Sequence, residues 1–368
     1  MATATQQLPE TMFAWRKHRG NPEPVWEQVP LPVPTSTGVL VQLLASGVCR
    51  SDYHHLTREM QPKWFQEKWT LGHEGCGKII KFGSPETEAT SKFKVGDIVA
   101  LHSVPGCGDS TCPECSRGLA QICQTGHHSG IGQDGYYAPY CAIDVRGLYR
   151  VPEGVSPAVA AVATDAVQTA YHAIVRRAEV KPHETVFLFG LGGLGWNALQ
   201  VVRHIGARVI VSDVRQSRLD EAVKLGVPAE DVVPIGKSIP EFVEERGLHI
   251  DTTLDFVGVH QTFQDAQAIV RRGGKLLCVG SIDSENTVHM HVGTRKRLTF
   301  LFTYGGQHGD LDDVLDLIAK GVIQPQVETG RLEDFPRVLK DLTSGKIECR
   351  YALLQGEELE KVERAKAA

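Results

Sequence analysis

From Glu184 to about residue 300, short apolar runs alternate with amphipathic segments, and this alternation constrains the chain more than any other feature. ETVFLFG is a continuous apolar run, as a strand buried on both faces requires. RVIVSD, DTTLDFVG and GKLLCVG read as further strands. Between them lie WNALQVVRHIG, QSRLDEAVKLG, IPEFVEERG and HQTFQDAQAIVRRGG, which carry helical spacing; Gly206 and Gly226 close the first two. Strands alternating with helices in this way form a doubly wound parallel sheet, so the fold class is α/β.

GLGGLG follows the first of these strands directly. Gly190, Gly192 and Gly195 make a G-x-G-x-x-G pattern between strand and helix, and Asp213 closes the next strand. That is the context a dinucleotide fingerprint requires. The first glycine permits a tight turn. The second lets the backbone approach a pyrophosphate at the positive end of a helix. The third permits close packing of helix on strand. Asp213 would accept hydrogen bonds from ribose hydroxyls and repel a 2′-phosphate, which favours NAD over NADP. Arg215 and Arg218 weigh against that preference, because either could reach a phosphate.

The first 160 residues are β-rich, with short apolar runs at 39–44, 77–82 and 97–101 and no long helix expected. Residues 156–178 then read as a helix, with Ser156 as N-cap and Pro157 in the first turn. After residue 300 come a strand in LTFLFTY, helices near 310–319 and 332–344, a strand in IECRYALL and a charged tail expected to be exposed.

Two groups of residues have the chemistry of metal ligands. Cys107, Cys112, Cys115 and Cys123 lie in a loop rich in Gly, Pro and Ser, and four thiols so close suit one tetrahedral structural zinc. Cys49 and His73 stand further apart, in VCRSDYHH and TLGHEGCG. They offer a thiolate and an imidazole, with Ser51, Asp52 and His54 nearby to orient a ligand or move a proton. Cys76, Cys141, Cys278 and Cys349 fall in strand-like contexts and read as small buried residues. The chain has nine cysteines and no apolar leader in MATATQQLPETMFAW, so reduced thiols and a cytoplasmic setting are expected. A net charge of −5 with no basic block gives no reason to expect a nucleic acid or membrane partner.

Together, CRSDYH, GHE, the four-cysteine lobe, GLGGLG with Asp213, and CRYALL resemble the zinc-dependent alcohol dehydrogenases of the medium-chain dehydrogenase/reductase family. The resemblance spans nearly the whole chain. It implies a GroES-like β-barrel catalytic domain over residues 1–160 that carries the cysteine lobe. A Rossmann NAD-binding domain would follow over 161–300, and 301–368 would return to the catalytic domain. It implies two zinc ions, and oxidation of a primary or secondary alcohol to an aldehyde or ketone by NAD. Cys49 and His73 would ligate the catalytic zinc, Glu74 would stand beside it or ligate transiently, and Asp52 would hold the His73 ring. The proton would leave through Ser51, the nicotinamide ribose and His54. Arg50 and Arg350 would meet the pyrophosphate, and Gly193 and Leu194 would offer it backbone N–H groups. Thr169 would pack on the nicotinamide, and Arg218 would lie near the adenosine ribose. A homo-oligomer, tetramer or dimer, would be usual.

The chain departs from the family pattern twice. The third zinc ligand is often a cysteine, but alignment through Thr169 puts Asp165 there. Carboxylate oxygen is a harder donor than thiolate and binds zinc at about 2.0–2.2 Å rather than 2.3 Å. The loop between Cys107 and Cys112 is also two residues longer than is common. Two other readings stay open at this stage: a zinc-free enone or quinone reductase on the same fold, and a protein that binds NAD(H) without catalysis. Met60, Trp64, Phe65, Trp69, Tyr136 and Tyr137 are candidates for the substrate pocket or the core, while His127 and His128 read as loop residues.

Overall fold

The structure, a computed structural model, describes residues 8–58 and 60–367, with side chains to residue 365. The N-terminal MATATQQ lies outside them. In chain order the first elements are β1 (Thr11–His18), β2 (Val25–Pro30), β3 (Gly38–Val48), α1 (Arg50–Thr57), β4 (Lys68–Thr70) and β5 (Glu74–Phe82). After α2 (Pro85–Thr90) come β6 (Ile98–Leu101), β7 (Tyr140–Asp144), β8 (Leu148–Arg150), α3 (Pro157–Val162) and α4 (Gln168–Tyr171). The alternating region follows with β9 (Thr185–Phe189), α5 (Gly195–Ile205), β10 (Arg208–Ser212), α6 (Gln216–Lys224), α7 (Ile239–Glu245), β11 (Ile250–Asp255), α8 (His260–Ile269) and β12 (Val270–Cys278). The chain ends with α9 (Met290–Lys296), β13 (Thr299–Phe302), α10 (Asp310–Ala319), β14 (Val327–Arg331), α11 (Phe335–Thr343), β15 (Arg350–Leu354) and α12 (Gly356–Ala367).

Two compact units result: residues 1–165 with 327–368, and residues 166–326. The second boundary falls at 326/327, not near 300, because β13 joins the parallel sheet beside β12 and α10 is tied to the same unit.

The first unit is built on a seven-stranded sheet in the order β14-β15-β3-β5-β6-β8, with β7 also paired to β3. β3 is its spine, antiparallel to β5, β7 and β15. Nearly every residue of β3 is buried, so it lacks the alternation of a half-exposed strand. Val39, Val41 and Leu43 pack with Ile79, Val99 and Ile143, while Val48 and Leu56 pack with Leu71, Phe335 and Leu353. A separate small sheet, β2-β1-β4, completes the unit.

The second unit holds an all-parallel sheet in the order β10-β9-β11-β12-β13. Phe187, Phe189, Ile210, Ile250 and Leu276 pack with Phe242 and Phe263 from its helices. β9 has β10 on one side and β11 on the other. The strand order reverses there, and the carboxyl end of such a strand is where open α/β sheets take ligands. Beyond β10 only an isolated Val211–Val232 bridge stands where a further strand would lie.

Several sequence expectations change. The helix expected over HQTFQDAQAIVRRGG stops at Ile269, because VRRGG enters β12 and pairs along β11. β14 and α9 were not anticipated, and the charged tail forms α12. The helix over 156–178 begins as expected: the Ser156 side chain accepts from the Val159 N–H, and Pro157 fills the first turn. It then widens into π turns at Ala163–Val167 and His172–Arg177.

Candidate active site and zinc lobe

The β3–β5 register builds the core of the site. Gly47 pairs with Glu74, so Cys49, just after β3, and His73, just before β5, meet at the same end of the antiparallel pair. β15 pairs along the other edge of β3, with Tyr351 opposite Val48, and this brings Arg350 alongside. Gly72 sets the entry of His73. Its φ is +89°, and a Cβ there would lie 2.5 Å from the Tyr137 ring.

Asp52 organises what surrounds the ligands. Cys49 is the N-cap of α1 and Asp52 the third residue of that helix. The Asp52 Oδ2 accepts the Cys49 N–H at 3.0 Å and the Tyr137 hydroxyl at 2.6 Å. Its Oδ1 stands 3.2 Å from His73 Nδ1. Burial alone would raise Asp52, but His73 and these hydrogen bonds hold it below its usual range. The sequence left Tyr136 and Tyr137 open between pocket and core. Both are fully buried, and the Tyr137 hydroxyl braces Asp52. The glycine directly before His73 was the local sign that an aromatic ring had to fit close by.

Asp165 comes from the first π turn. Its Oδ2 lies 3.3 Å from Cys49 Sγ and 3.8 Å from His73 Nε2. Donor atoms of Cys49, His73, Glu74 and Asp165 all lie within 4.8 Å of one another. A tetrahedron with arms of about 2.0–2.3 Å has edges of about 3.3–3.8 Å, which the Asp165–Cys49 and Asp165–His73 separations match, so these three donors fit zinc in size and in type. Burial lowers the proton affinity of His73, but Asp52, Asp165 and Cys49 more than compensate and raise it well above its ordinary value. The group therefore favours positive charge at its centre. Glu74 is fully buried and pairs with buried Arg350, while its Oε2 has no hydrogen-bond partner. Burial raises Glu74 and Arg350 opposes that.

Ser51 Oγ lies 3.5 Å from Cys49 Sγ. Ser51 and His54 are one turn apart on α1, and His54 is exposed on its surface, as is Arg50. Burial and the nearby Arg50 charge lower His54 from its usual value.

The four cysteines of the lobe also converge. Cys107 and Cys115 Sγ atoms are 3.7 Å apart and those of Cys112 and Cys123 are 3.8 Å apart, the edge length of a ZnS4 tetrahedron. The longer Cys107–Cys112 loop therefore still closes. Burial raises the Cys123 thiol, but hydrogen bonds from Thr125 outweigh it and bring it to about 6, which favours the thiolate that a metal requires.

In the second unit the fingerprint has the expected shape. Gly190 has φ +84°, and a Cβ on Gly195 would meet the Gly190 carbonyl at 1.9 Å. A Cβ on Gly192 would meet only the tip of Arg215, at 3.8 Å, so the backbone there is open to a close-lying ligand. Gly193 and Leu194 lead into α5, with Leu194 at its N-cap. Asp213 accepts the Leu191 N–H at 2.7 Å and is paired with Arg215. Arg218 is buried, with its guanidinium over Trp196 at 4.6 Å and bonds to the Leu191 carbonyl, Glu221 and Gln326. These bonds use its Nε and Nη1, while its Nη2 is buried without a hydrogen-bond partner. Thr169 is buried in α4.

Residues 35–153 match the alcohol dehydrogenase GroES-like domain, and 193–320 match the zinc-binding dehydrogenase domain. An alcohol dehydrogenase of Geobacillus stearothermophilus is 30% identical over 86% of this chain and 91% of its own length. The chain belongs to the zinc-binding alcohol dehydrogenase family. An NAD-dependent alcohol dehydrogenase of Sulfurisphaera tokodaii is 29% identical, covering 89% of this chain and 95% of its own. The acetophenone reductase of Geotrichum candidum, solved with NAD, superposes with a TM-score of 0.84 at 30% identity, covering 95% of this chain and 98% of that one. Family membership makes the chain an alcohol-oxidising zinc oxidoreductase with a GroES-like and a Rossmann-type part. Among the described residues, no helix is long and apolar enough to cross a membrane.

Tyr137→Phe removes the hydroxyl that fixes Asp52 and leaves the ring in place. Outer partners of metal-bound histidines typically carry about 10–100-fold in affinity, so zinc binding at the Cys49–His73 site should weaken by about tenfold. Competition with a chelator measures this, and the lobe zinc should be unaffected.

Proposed function

We propose that the chain catalyses the reversible, NAD-linked oxidation of a primary or secondary alcohol to an aldehyde or ketone, with Cys49, His73 and Asp165 as the catalytic zinc ligands. One observation carries this reading: Cys49, the adjacent His73 and Glu74, and Asp165, from three stretches of the sequence, bring four buried or half-buried donor atoms within 4.8 Å of one another. When bound, zinc supplies Lewis acidity and NAD the two-electron acceptor. The protein supplies orientation and a path for the proton. Asp52 and Tyr137 fix the His73 ring and its tautomer. Ser51 would accept the proton of the substrate hydroxyl while giving its own onward towards the cofactor ribose, and His54, exposed one turn along α1, would release a proton to water. Glu74, balanced between Arg350 and the ligands, stands ready to approach the metal. Asp165 keeps the charge a cysteine would bring and supplies a shorter, harder donor.

On the cofactor side, the open backbone at Gly192 and the N–H groups of Gly193 and Leu194 would hold the pyrophosphate, with Arg50 and Arg350 contributing charge. Asp213 would hold the ribose, and Thr169 would pack on the nicotinamide. The negative charge of Asp213 and the burial of Arg218 against Trp196 support NAD over NADP. The cysteine lobe would hold the second zinc. The NAD-dependent and NAD-bound relatives support the same cofactor. A homo-oligomer would fit the apolar outer edge strand β13, where Phe302 is 67% exposed; a tetramer and a cytoplasmic setting are the expectation that the family resemblance brings.

Asp165→Ala should drop zinc content from two ions per chain to one and abolish turnover; retention of both ions with normal activity would exclude Asp165 as a ligand. Ser51→Ala should cut turnover by about 10²–10⁴-fold with NAD affinity within twofold, as removal of a proton-transfer group does; an unchanged rate of NADH formation would exclude the relay. Light scattering on the purified chain should give a mass of two or four subunits, and a monomer would count against the role proposed for β13.

A further inference from the structure

A buried acid at the start of α10 ties two stretches of the second unit together. Asp310 is fully buried. Its Oδ2 accepts His172 Nδ1 at 2.8 Å and the Gln307 N–H at 2.9 Å, and its Oδ1 accepts Arg176 Nε at 2.9 Å. His172 is buried as well, and a carboxylate only accepts, so its Nδ1 carries the proton. His172 and Arg176 stand four residues apart in the second π turn, and one carboxylate grips both. Burial alone would raise Asp310, but these hydrogen bonds hold it below its usual range, so it stays an anion. Asp313 adds an outer layer, accepting the Tyr171 hydroxyl and Arg176 Nη2 at 3.0 Å each.

What Asp310 holds is the glycine-rich turn 303–309, which follows the carboxyl end of β13. Gly306 lies so close to Gln168 that a Cβ there would overlap the glutamine side chain. The contact is weakly held by its own bonds. Gln168 Nε2 reaches the Gln307 carbonyl at 3.3 Å, and its Oε1 is buried with no hydrogen-bond partner. A buried acceptor left unpaired costs free energy, so the arrangement needs a hold from elsewhere. Asp310 provides it, because it grips the turn through Gln307 and the helical stretch through His172 and Arg176. Thr169 is the next residue after Gln168 and is buried in the same helix. The sheet is all-parallel, so the turn after β13 and the GLGGLG turn after β9 lie at the same edge.

We propose that Asp310 is a positioning residue for the nicotinamide half of the cofactor: it fixes the helix that carries Thr169 against the glycine-rich turn. The inference rests on the NAD reading above, with Thr169 packed on the nicotinamide. Asp310 acts through His172, Arg176 and Gln307 and touches no cofactor atom itself. The adenosine half is served by Asp213 and the fingerprint glycines, and Asp213 bonds to Leu191 and Arg215 and not to this group. Loss of the acid should therefore loosen one end of the cofactor and not the other.

Asp310→Asn keeps the size of the side chain and removes its charge. ADP-ribose is the cofactor without its nicotinamide, so it reads the adenosine end alone. NADH binding to the purified enzyme is followed by fluorescence and ADP-ribose binding by calorimetry. Asp310→Asn should weaken NADH by about tenfold, the scale of one hydrogen bond to a charged group, with ADP-ribose within about twofold. Equal losses for both ligands, as general loosening of the fold would give, would overturn the proposal, and so would an unchanged NADH affinity. Arg176→Met acts at the exposed edge of the group and decides the matter if Asp310→Asn does not fold. It should weaken NADH by about threefold with ADP-ribose unchanged, and equal or absent losses there would overturn the proposal. Tyr171→Phe removes only the bond to Asp313 and should leave both affinities unchanged; a selective loss of NADH would move the hold from Asp310 to Asp313 and overturn the proposal too. A wild-type enzyme that binds neither ligand would refute the NAD reading and this inference with it, whereas tight binding of both with no selective loss in the variants overturns the inference alone.

Discussion

One carboxylate organises the first unit's site. Asp52 lies fully buried, with one oxygen taking the Cys49 N–H and the Tyr137 hydroxyl and the other facing His73. A buried anion is costly unless it is well supplied with donors, and here the donors are the groups that must be placed accurately. The helix cap holds the cysteine, the phenol props the acid, and the acid aims the imidazole. The same residue thus starts α1, anchors a core aromatic and faces the imidazole of His73.

Features that depend on local chemistry were legible in the sequence. The glycine fingerprint needs only a strand before it and a helix after it, and both stood in plain pattern. The four cysteines fall within a single loop, so their spacing alone pointed to a metal. Cys49 and His73 were harder, because strand register and not sequence distance brings them together: Gly47 opposite Glu74 fixes both ends at once. Spacing alone did not mark Asp165, which came through family resemblance, since its placement follows from a π turn that no propensity announces. Tyr137 was left open between pocket and core. Its core place and its bond to Asp52 follow from the fold and not from the local sequence. Arg218 looked exposed in the sequence, yet its guanidinium stacks on Trp196 inside the unit.

The chain pairs two kinds of metal chemistry in one unit. The lobe is sulfur on all sides, with tetrahedral edges satisfied by four thiols from one loop, which is how closed structural sites are built. The other group mixes sulfur, nitrogen and oxygen, and carries a second acid, Glu74, poised between an arginine and the ligands. A mixed site of this kind would leave room for exchange at a bound metal, and the sulfur site would not.

The π turn at Ala163–Val167 has a further consequence. A helix with a wide turn holds one residue more than a regular helix of the same length, so everything beyond that turn is rotated by about 100° relative to an unbroken spiral. The segment between Ser156 and Ala178 is therefore sensitive to residue count as well as to residue identity. Loss of a single small, chemically silent alanine before the turn, such as Ala160, would leave every functional group in the chain and still turn Asp165 away from the sulfur of Cys49. In this stretch, chain length is part of the ligand set.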